Sequence, residues 1–284
     1  MRNRSALIGG LVGGVVAASC VVLSAGQLPL APVSTHGQTI TPVYEGWYPN
    51  PDGTFSLSWG YFNRNSEEVV NVPIGANNRI APGGPDHGQP TQFLARRQRG
   101  VFTVVVPADF GEGDEVNWTL TFRGDTQTIP GHLHRDWLLD AVGGAANQDT
   151  PPVVRFAETG REHRGPGGPA EGPLTAVVGT PLPLVVWATD DGITRRRSEE
   201  TDDDPPPLVR LRWYLHQGPA AVSFAHDEDD DALEIAEGSD GRAETAVTFT
   251  EPGEYLLRVL ASDRSGGGGS QCCWTNAFLR VTVS

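Results

Sequence analysis

The segment spanning residues 211–263 constrains the fold more strongly than any other part of the sequence. It contains Leu211-Arg-Trp-Tyr-Leu-His-Gln-Gly-Pro-Ala-Ala-Val-Ser-Phe224 and Phe249-Thr-Glu-Pro-Gly-Glu-Tyr-Leu-Leu-Arg-Val-Leu-Ala-Ser-Asp263. Apolar side chains recur at every second position, which is the period of a strand with one buried face. Pro252-Gly253 marks a tight corner, and Tyr255 follows it in phase with the apolar face. Trp213 lies in mid-strand, where it fills the gap between two sheets. These features predict the inner half of a β-sandwich.

The composition of the 284-residue chain favours an all-β fold of about two domains. Glycine (35) and proline (23) are abundant, and both residue types break helices and mark turns. The net charge is −14, and all 21 basic residues are arginine. Phosphate backbones and anionic membranes repel such a chain, so we predict no nucleic-acid partner and favour cations or basic surfaces.

Residues 1–26 have the pattern of a secretory signal peptide with a hydrophobic helix. Arg2 and Arg4 precede an apolar run, and Ser24-Ala25-Gly26 offers small residues for cleavage. Two alternatives stay open, namely lipidation at Cys20 and retention of the apolar segment as an anchor. Each alternative places the remaining chain outside the cytoplasm. We therefore predict a secreted, periplasmic or cell-surface protein that contacts a membrane only through its N-terminus.

A flexible lead-in is predicted at residues 27–40, followed by a first β-sandwich domain at residues 41–140. Alternating sequence predicts four of its strands, at residues 54–61, 69–74, 101–106 and 116–122. In the first of these strands, period-two alternation places Phe55, Leu57, Trp59 and Tyr61 on one face. The turn-rich residues 107–114 predict a hairpin-like connection between the last two strands.

Two short motifs of the first domain carry a resemblance. Through Gly60-Tyr-Phe-Asn-Arg-Asn65 and Gly88-Gln-Pro-Thr91, the domain resembles a module of bacterial secreted proteins that has no assigned function. The resemblance implies secretion and no particular activity.

Residues 141–152 are a predicted linker, and residues 153–284 form the second predicted domain. Eight strands are predicted there, at residues 153–156, 174–178, 182–188, 208–216, 220–224, 243–249, 254–261 and 276–283. The domain resembles the PKD/Ig-like modules of bacterial surface proteins through Thr189-Asp-Asp-Gly192, Trp213, Gly218-Pro-Ala-Ala-Val-Ser-Phe224, the Phe249–Asp263 stretch and Val281-Thr-Val283. The resemblance implies a seven-stranded sandwich with a spacing or adhesion role and no catalysis. The fold class predicted for the whole chain is thus two immunoglobulin-like β-sandwiches.

Three connections of the second domain are predicted to lie at one end of the sandwich, which we call the acidic end. Successive antiparallel strands reverse direction, so the loops at residues 190–207, 225–242 and 262–275 emerge together. They contain sixteen acidic residues and five arginines, and so carry −11 of the chain's net charge of −14.

Two interpretations of the acidic end compete. A charge run usually forms a solvated surface that keeps a secreted protein soluble. The alternative is Ca²⁺ binding, because Ca²⁺ takes about six to eight oxygen ligands, and it is the one cofactor that we consider. The acidic runs lack the fixed spacing of an EF-hand, so convergence of acidic oxygens within about 5 Å would favour calcium. The predicted ligands are Asp190, Asp191, Asp229, Asp231 and Asp263.

Cys272-Cys273-Trp274 also belongs to the acidic end. The two cysteines could form a bond between neighbours, a link to another chain, or two free thiols. We favour a vicinal disulfide that stiffens the loop. Trp274 is then a candidate ligand-binding residue that stacks on a sugar ring, although an indole that folds back into the core is the simpler interpretation.

Motifs for catalysis are absent from the sequence: it has no Gly-x-Ser-x-Gly elbow, no His-Glu-x-x-His and no phosphate-binding glycine loop. We therefore predict a non-enzymatic protein that mediates adhesion, with an extracellular protein or a polysaccharide as partner. A calcium- or carbohydrate-binding accessory module is the first alternative. A hydrolase with its site in the first domain is the weaker one, because an acidic chain offers many carboxylates.

Overall fold

The computed structural model describes residues 34–111, 113–140, 149–192, 207–226, 232–263 and 273–284. Within these ranges it contains seventeen β-strands, a single 3₁₀ turn at Arg135–Trp137 and no α-helix. The predicted all-β fold class is therefore confirmed. The predicted signal peptide at residues 1–26, residues 27–33 of the lead-in, and residues 141–148 of the predicted linker lie outside the described residues.

Eight strands form the first sandwich. They are β1 (Ile40–Pro49), β2 (Phe55–Asn63), β3 (Val70–Asn71), β4 (Asn78–Ala81), β5 (Gln92–Phe93), β6 (Arg96–Val106), β7 (Val116–Phe122) and β8 (Asp125–Gly131). One sheet has the order β1-β2-β6 and another has the order β4-β7-β8, while β3 and β5 form a short separate pair. All pairs within these sheets are antiparallel.

Aromatic rings fill the core of the first sandwich. Leu57, Trp59 and Tyr61 of β2 are completely buried, as the period-two alternation predicts. Trp59 meets Trp118 of the facing sheet edge to face, with ring centroids 6.0 Å apart. The Trp118 Nε1–H donates to Asn78 Oδ1 at 3.0 Å, so the buried indole keeps a polar partner. Edge-to-face packing of this kind joins the two sheets.

Two features of the first sandwich differ from the sequence prediction. Residues 107–114 are not a hairpin, because β6 pairs with β2 while β7 pairs with β4 and β8 in another sheet. The connection crosses between sheets. Strand β1 was not predicted, since Pro42 and Gly46 interrupt its alternation. It is an edge strand with a register shift between Tyr44 and Gly46, a position where proline and glycine are tolerated.

Nine strands form the second sandwich. They are β9 (Val153–Arg155), β10 (Glu171–Ala176), β11 (Leu182–Thr189), β12 (Val209–Gln217), β13 (Val222–Phe224), β14 (Leu233–Ile235), β15 (Arg242–Phe249), β16 (Gly253–Asp263) and β17 (Trp274–Val283). The sheets have the orders β13-β15-β11-β9 and β10-β17-β16-β12-β14. The first order corresponds to strands D, E, B and A of an immunoglobulin domain, and β17-β16-β12 corresponds to G, F and C. The sandwich is therefore Ig-like.

The core of the second sandwich is largely aliphatic. Leu211, Val259 and Ala261 are completely buried, and the partly buried Trp213 packs against both halves of this core. Tyr255 follows the Pro252-Gly253 corner, and its hydroxyl donates to Glu251 O at 2.9 Å. This bond ties the corner to the backbone that precedes it, as in the tyrosine corner of immunoglobulin-like sandwiches.

The two sandwiches contact each other through a surface that we call the junction. The Nε2–H of His216 on β12 donates to Gly88 O at 2.7 Å, and the Thr91 N–H donates to His216 O at 2.8 Å. Asn276 on β17 donates to Gly100 O at 2.6 Å. His216 and Asn276 are both buried, so these hydrogen bonds are shielded from water.

Apolar side chains complete the junction. Leu256 and Phe278 extend from the five-stranded sheet and join the core cluster of the first sandwich. Phe278 and Phe102 both lie against the His216 ring, with centroid distances of 5.0 and 6.5 Å. Residues from Val33 to Ser284 form one compact unit. The division at residues 41–140 and 153–284 stays a prediction.

Candidate functional site: the acidic end of the second sandwich

Strand register brings together the ends of the strands that flank the acidic loops. Thr189, the last residue of β11, pairs with Val153, and Asp263, the last residue of β16, pairs with Val209. Trp274 opens β17 opposite Ser262. The described ends of these strands therefore share one end of the sandwich, so the residues that flank them are neighbours although they are far apart in the chain.

Carboxylates converge at this end. An oxygen of Asp149, an oxygen of Asp263 and Cys273 Sγ all lie within 4.8 Å of one another. Asp149 is 2% exposed, and its Oδ1 has no hydrogen-bond partner among the described residues. Asp190 Oδ1 is also buried without a partner in those ranges. A desolvated carboxylate oxygen without a partner is costly, so the arrangement favours a positive charge between these residues.

The pKa of Asp190 is raised, in part by the neighbouring carboxylates. Burial raises this pKa to about 6, and the negative charges of Asp263, Asp191 and Asp149 add to the rise. The Gly192 N–H, which donates to Asp190 Oδ2 at 2.8 Å, opposes the rise by favouring the charged form. A bound cation would act in the same direction as this N–H group, with a larger effect.

Asp191 positions the segment that carries Asp149. Its Oδ2 accepts from the Thr150 N–H at 3.0 Å and from Thr150 Oγ1 at 2.7 Å. Arg164 Nη1 donates to Thr150 Oγ1 at 2.9 Å. Residues 149 and 150 are thereby tied to the end of β11, which holds the Asp149 carboxylate beside Asp263.

The donor set suits a hard divalent cation. Cys273 is disulfide-bonded, so its sulfur is not the thiolate that zinc binds. The remaining donors are carboxylate oxygens. Calcium–oxygen distances are about 2.3–2.6 Å, so two ligands of one Ca²⁺ lie up to about 5 Å apart. The separation of 4.8 Å or less fits this limit without rearrangement. Asp190 lies close enough to this pair for the charges of Asp149 and Asp263 to raise its pKa.

The sequence prediction identified part of this site. Asp190, Asp191 and Asp263 lie at the acidic end, whereas Asp229 and Asp231 lie outside the described residues. Asp149 was missed because it precedes Thr-Pro-Pro152 in the segment interpreted as a linker. The available signal was an acidic residue directly before the first strand of a sandwich, which starts at the same end as the acidic loops. Calcium binding by these residues stays a prediction at this point.

The Cys-Cys-Trp motif borders the carboxylates. The bonding partner of Cys273 lies outside the described residues, so pairing with Cys272 stays a prediction. Trp274 is partly buried, and its Nε1–H approaches Gly100 O of the first sandwich at 3.4 Å. Its role as a sugar platform also stays a prediction.

Two clefts lie between the sandwiches. The larger has a volume of about 570 Å³ and includes Arg96 and Gln98 of the first sandwich with Trp213 and Tyr214 of the second. The smaller has a volume of about 380 Å³. Among the described residues, Glu67 is the one carboxylate of the larger cleft and Asp86 that of the smaller. A glycosidase site requires a pair of carboxylates.

Comparisons with known proteins give partial structural matches. The D00-D0 domain of Intimin is 8% identical with a TM-score of 0.26, and the match covers 86% of this chain and 100% of that one. Domains 4 and 5 of the S-layer protein SbsC are 11% identical with a TM-score of 0.24, covering 87% and 98%. The sialic acid binding region of a Streptococcus sanguinis SK1 adhesin is 11% identical with a TM-score of 0.24, covering 87% and 78%. These scores carry no argument about function, and the Ig-like description stands on strand order.

Sequence comparisons add no relative. No protein-family model and no curated protein matches the chain. In the described ranges, the structure has no helix with the length and apolar character that a membrane span requires.

Proposed function

We propose that this is a non-enzymatic protein of the cell surface, periplasm or extracellular medium in which the acidic end of the second sandwich binds Ca²⁺. In this proposal, residues 153–284 act as a PKD/Ig-like interaction module. The calcium site orders the loops of the acidic end, and those loops hold an extracellular protein or a polysaccharide as partner in adhesion. The ligands that we assign to calcium are Asp149, Asp190 and Asp263, with Asp191 as a positioning residue.

The observation that carries the proposal is the buried Asp149 carboxylate. Its Oδ1 has no partner within the described part of the chain, although an oxygen of Asp263 lies within 4.8 Å of the same group. Two carboxylates at this separation repel each other, and burial strengthens the repulsion. Calcium at the acidic end removes the repulsion and supplies the missing partner. A solvated acidic surface requires no such buried oxygen.

Thermal unfolding in a chelator and in about 10 mM Ca²⁺ tests the calcium site. Calcium modules of extracellular proteins bind with Kd values of about 10⁻⁴–10⁻³ M. Ca²⁺ at about 10 mM is a ten- to hundredfold excess over this Kd, which stabilises the folded state by about 1.4–2.7 kcal/mol. For a chain of this size, we expect Tm to rise by about 3–10 °C. An unchanged Tm for the native chain would contradict the proposal.

The Asp149→Asn variant separates a calcium site from an ordinary buried acid. The amide removes one charge from the repelling group, so in the chelator we expect the variant to unfold at the same temperature as the native chain or above it. In Ca²⁺ we expect it to lose the rise in Tm. Asp109→Asn, in an exposed turn of the first sandwich, is the matched control and should keep the full rise.

Partner binding has a separate test. The immobilised protein is presented with solubilised cell envelope from its own organism, with and without Ca²⁺. We expect a specific protein or polysaccharide to be retained in Ca²⁺ and released by chelator, and the Asp149→Asn variant to retain none. Retention that is indifferent to both chelator and variant would place the partner surface away from the acidic end.

A further inference from the structure

We propose that the calcium site controls the junction, because its ligand Asp149 lies in one of two chain segments that contact the first sandwich or lead to those contacts, and its ligand Asp263 lies beside the other. This inference rests on the calcium binding proposed above. The segments are residues 149–152, which enter the second sandwich, and residues 273–276, which open β17. A cation that joins Asp149 to Asp263 would therefore hold both segments in the positions that the junction requires.

The first link runs from Asp149 to the start of β17. Three residues after Asp149, Pro152 O accepts a hydrogen bond from Thr275 Oγ1 at 2.5 Å. The same Oγ1 accepts from the Gly165 N–H at 2.9 Å, and Thr275 is completely buried. Thr275 is thus fixed on its other side by Gly165, and a shift of the segment that carries Asp149 would break its bond to Pro152. The position of Asp149 is therefore coupled to the position of β17.

The second link runs from Cys273 to the first sandwich. Trp274 and Asn276 both contact Gly100 of β6, through Nε1 at 3.4 Å and Nδ2 at 2.6 Å. Gly100 has φ of +49°, and a Cβ at this position would lie 2.4 Å from the Trp274 ring. A side chain does not fit there, so the backbone of β6 and the indole approach as closely as glycine allows.

The third link is a set of hydrogen bonds that holds Asn276, and with it the start of β17, in place. Asn276 also donates to Pro166 O at 2.9 Å, and its Oδ1 accepts from Arg258 Nη1 at 3.1 Å. Asn276 is completely buried, and Arg258 is 3% exposed and lies over the Tyr214 ring at 4.7 Å. Displacement of β17 would leave several desolvated polar groups without partners, which resists small movements. The junction thus has a closed arrangement that the start of β17 determines.

Without a cation, repulsion acts on this arrangement from the acidic end. Asp263 ends β16, whose last residues pair with the first residues of β17 through Ser262 and Trp274. The negative charges of Asp149 and Asp263 favour separation of the residue 149–152 segment from these strand ends. Calcium reverses the sign of this interaction. We therefore expect the closed junction to be more populated with calcium than without it.

Hydrogen exchange together with calorimetry tests the inference on the full chain. Calorimetry establishes whether Ca²⁺ binds, and exchange is measured on the same sample in calcium and in chelator. We expect amides at residues 98–102 of the first sandwich to exchange at least threefold more slowly in calcium. Amides of β7, which lie in the first sandwich and outside the junction, are the internal control and should not change.

Each outcome decides the inference. Calcium binding with slower exchange at residues 98–102 supports it. Calcium binding with unchanged exchange overturns the control of the junction while the calcium function stands, and absence of binding overturns both. Asp149→Asn should show the same exchange rates in both buffers, because neither the repulsion nor the cation acts on the neutral amide, whereas Asp109→Asn should behave like the native chain. If Asp149→Asn fails to fold, Asp190→Asn gives the same test at a less buried position.

Discussion

The junction and the acidic end both bury polar side chains, but they satisfy them in different ways. At the junction, Asn276 and His216 meet backbone carbonyls of the first sandwich at 2.6 and 2.7 Å. At the acidic end, Asp149 and Asp190 each keep a buried oxygen without a partner among the described residues. Buried polar groups in folded proteins are nearly always hydrogen-bonded. At the junction Arg258 Nε also lacks a partner, but the side chain is held through Nη1, whereas the unpartnered oxygens of the acidic end belong to neighbouring groups of like charge, which is the basis of the proposed calcium site.

The two regions also differ in the groups that surround their buried charged side chains. Arg258 at the junction donates to Asn276 Oδ1 and lies against the Tyr214 ring, which offers its negative face to the guanidinium. Burial lowers the pKa of Arg258. At the acidic end the neighbours of Asp190 include carboxylates, so burial and repulsion act in the same direction. One region accommodates its charge with neutral groups, and the other concentrates charge of one sign.

The largest effect that we predict from this comparison comes from Asn276→Ala. The change leaves the Pro166 carbonyl and the buried Arg258 without their partner and removes a bond to Gly100. Each buried group left unsatisfied costs about 1–3 kcal/mol, so we expect the free energy of unfolding to fall by about 3–5 kcal/mol.

Chemical denaturation in calcium and in chelator measures this loss. Asn71→Ala, at an exposed position on β3, is the control and should change stability by about 0.5 kcal/mol or less. A loss for Asn276→Ala as small as that of the control would show that solvent replaces the junction bonds. The distinction between the two regions would then disappear.

The pH dependence of the junction gives the next largest effect. Burial and, to a smaller extent, the charge of Arg258 lower the pKa of His216 to about 3, and the bond to Gly88 O opposes them. The unfolded chain has a histidine pKa of about 6.5. The unfolded state therefore binds more protons below pH 6.5, so this contribution to stability is complete above pH 6.5 and is lost as pH falls.

We expect a slope of about 1.4 kcal/mol per pH unit from His216 between roughly pH 6 and pH 4. His216→Gln keeps an amide donor near the Nε2 position and does not titrate. Denaturation at pH 7, 6 and 5 should show stability falling more steeply for the native chain than for the variant. Parallel curves for the two proteins would mean that the histidine is protonated in the folded junction.

The sequence predicted those strands in which apolar and polar residues alternate over many positions. Strands β12, β15, β16 and β17 were predicted within about two residues of their ends, because one buried face imposes a period of two over many positions. Strand β14 was missed because its three residues lie inside the acidic segment 225–242, which was interpreted as a loop. The motif Gly88-Gln-Pro-Thr91, which carries a resemblance in the first domain, lies at the junction, where Gly88 and Thr91 contact His216.

The candidate site was predictable only as far as strand direction determines it. Alternating strand directions alone are sufficient to place Asp190 and Asp263 at one end of the sandwich. Asp149 required knowledge of where the chain enters the second sandwich, and a proline-containing segment with small residues gives no periodic signal for that. The junction could not be predicted from the sequence either. Alternation identifies the buried face of a strand, but it does not identify which outer face of a sheet packs against another sandwich.

The smallest effect concerns a satisfied hydrogen bond away from both regions. Tyr255 OH donates to Glu251 O at 2.9 Å at the corner before β16, far along the strand from Asp263. Tyr255→Phe removes one neutral bond and leaves an acceptor on an exposed residue, which water can reach. We expect a loss of about 1 kcal/mol, equal in calcium and in chelator. Chemical denaturation in both buffers measures it. A loss that depends on calcium would mean that the cation acts on the whole second sandwich, and the comparison between a complete junction and an incomplete acidic end would have to be redrawn.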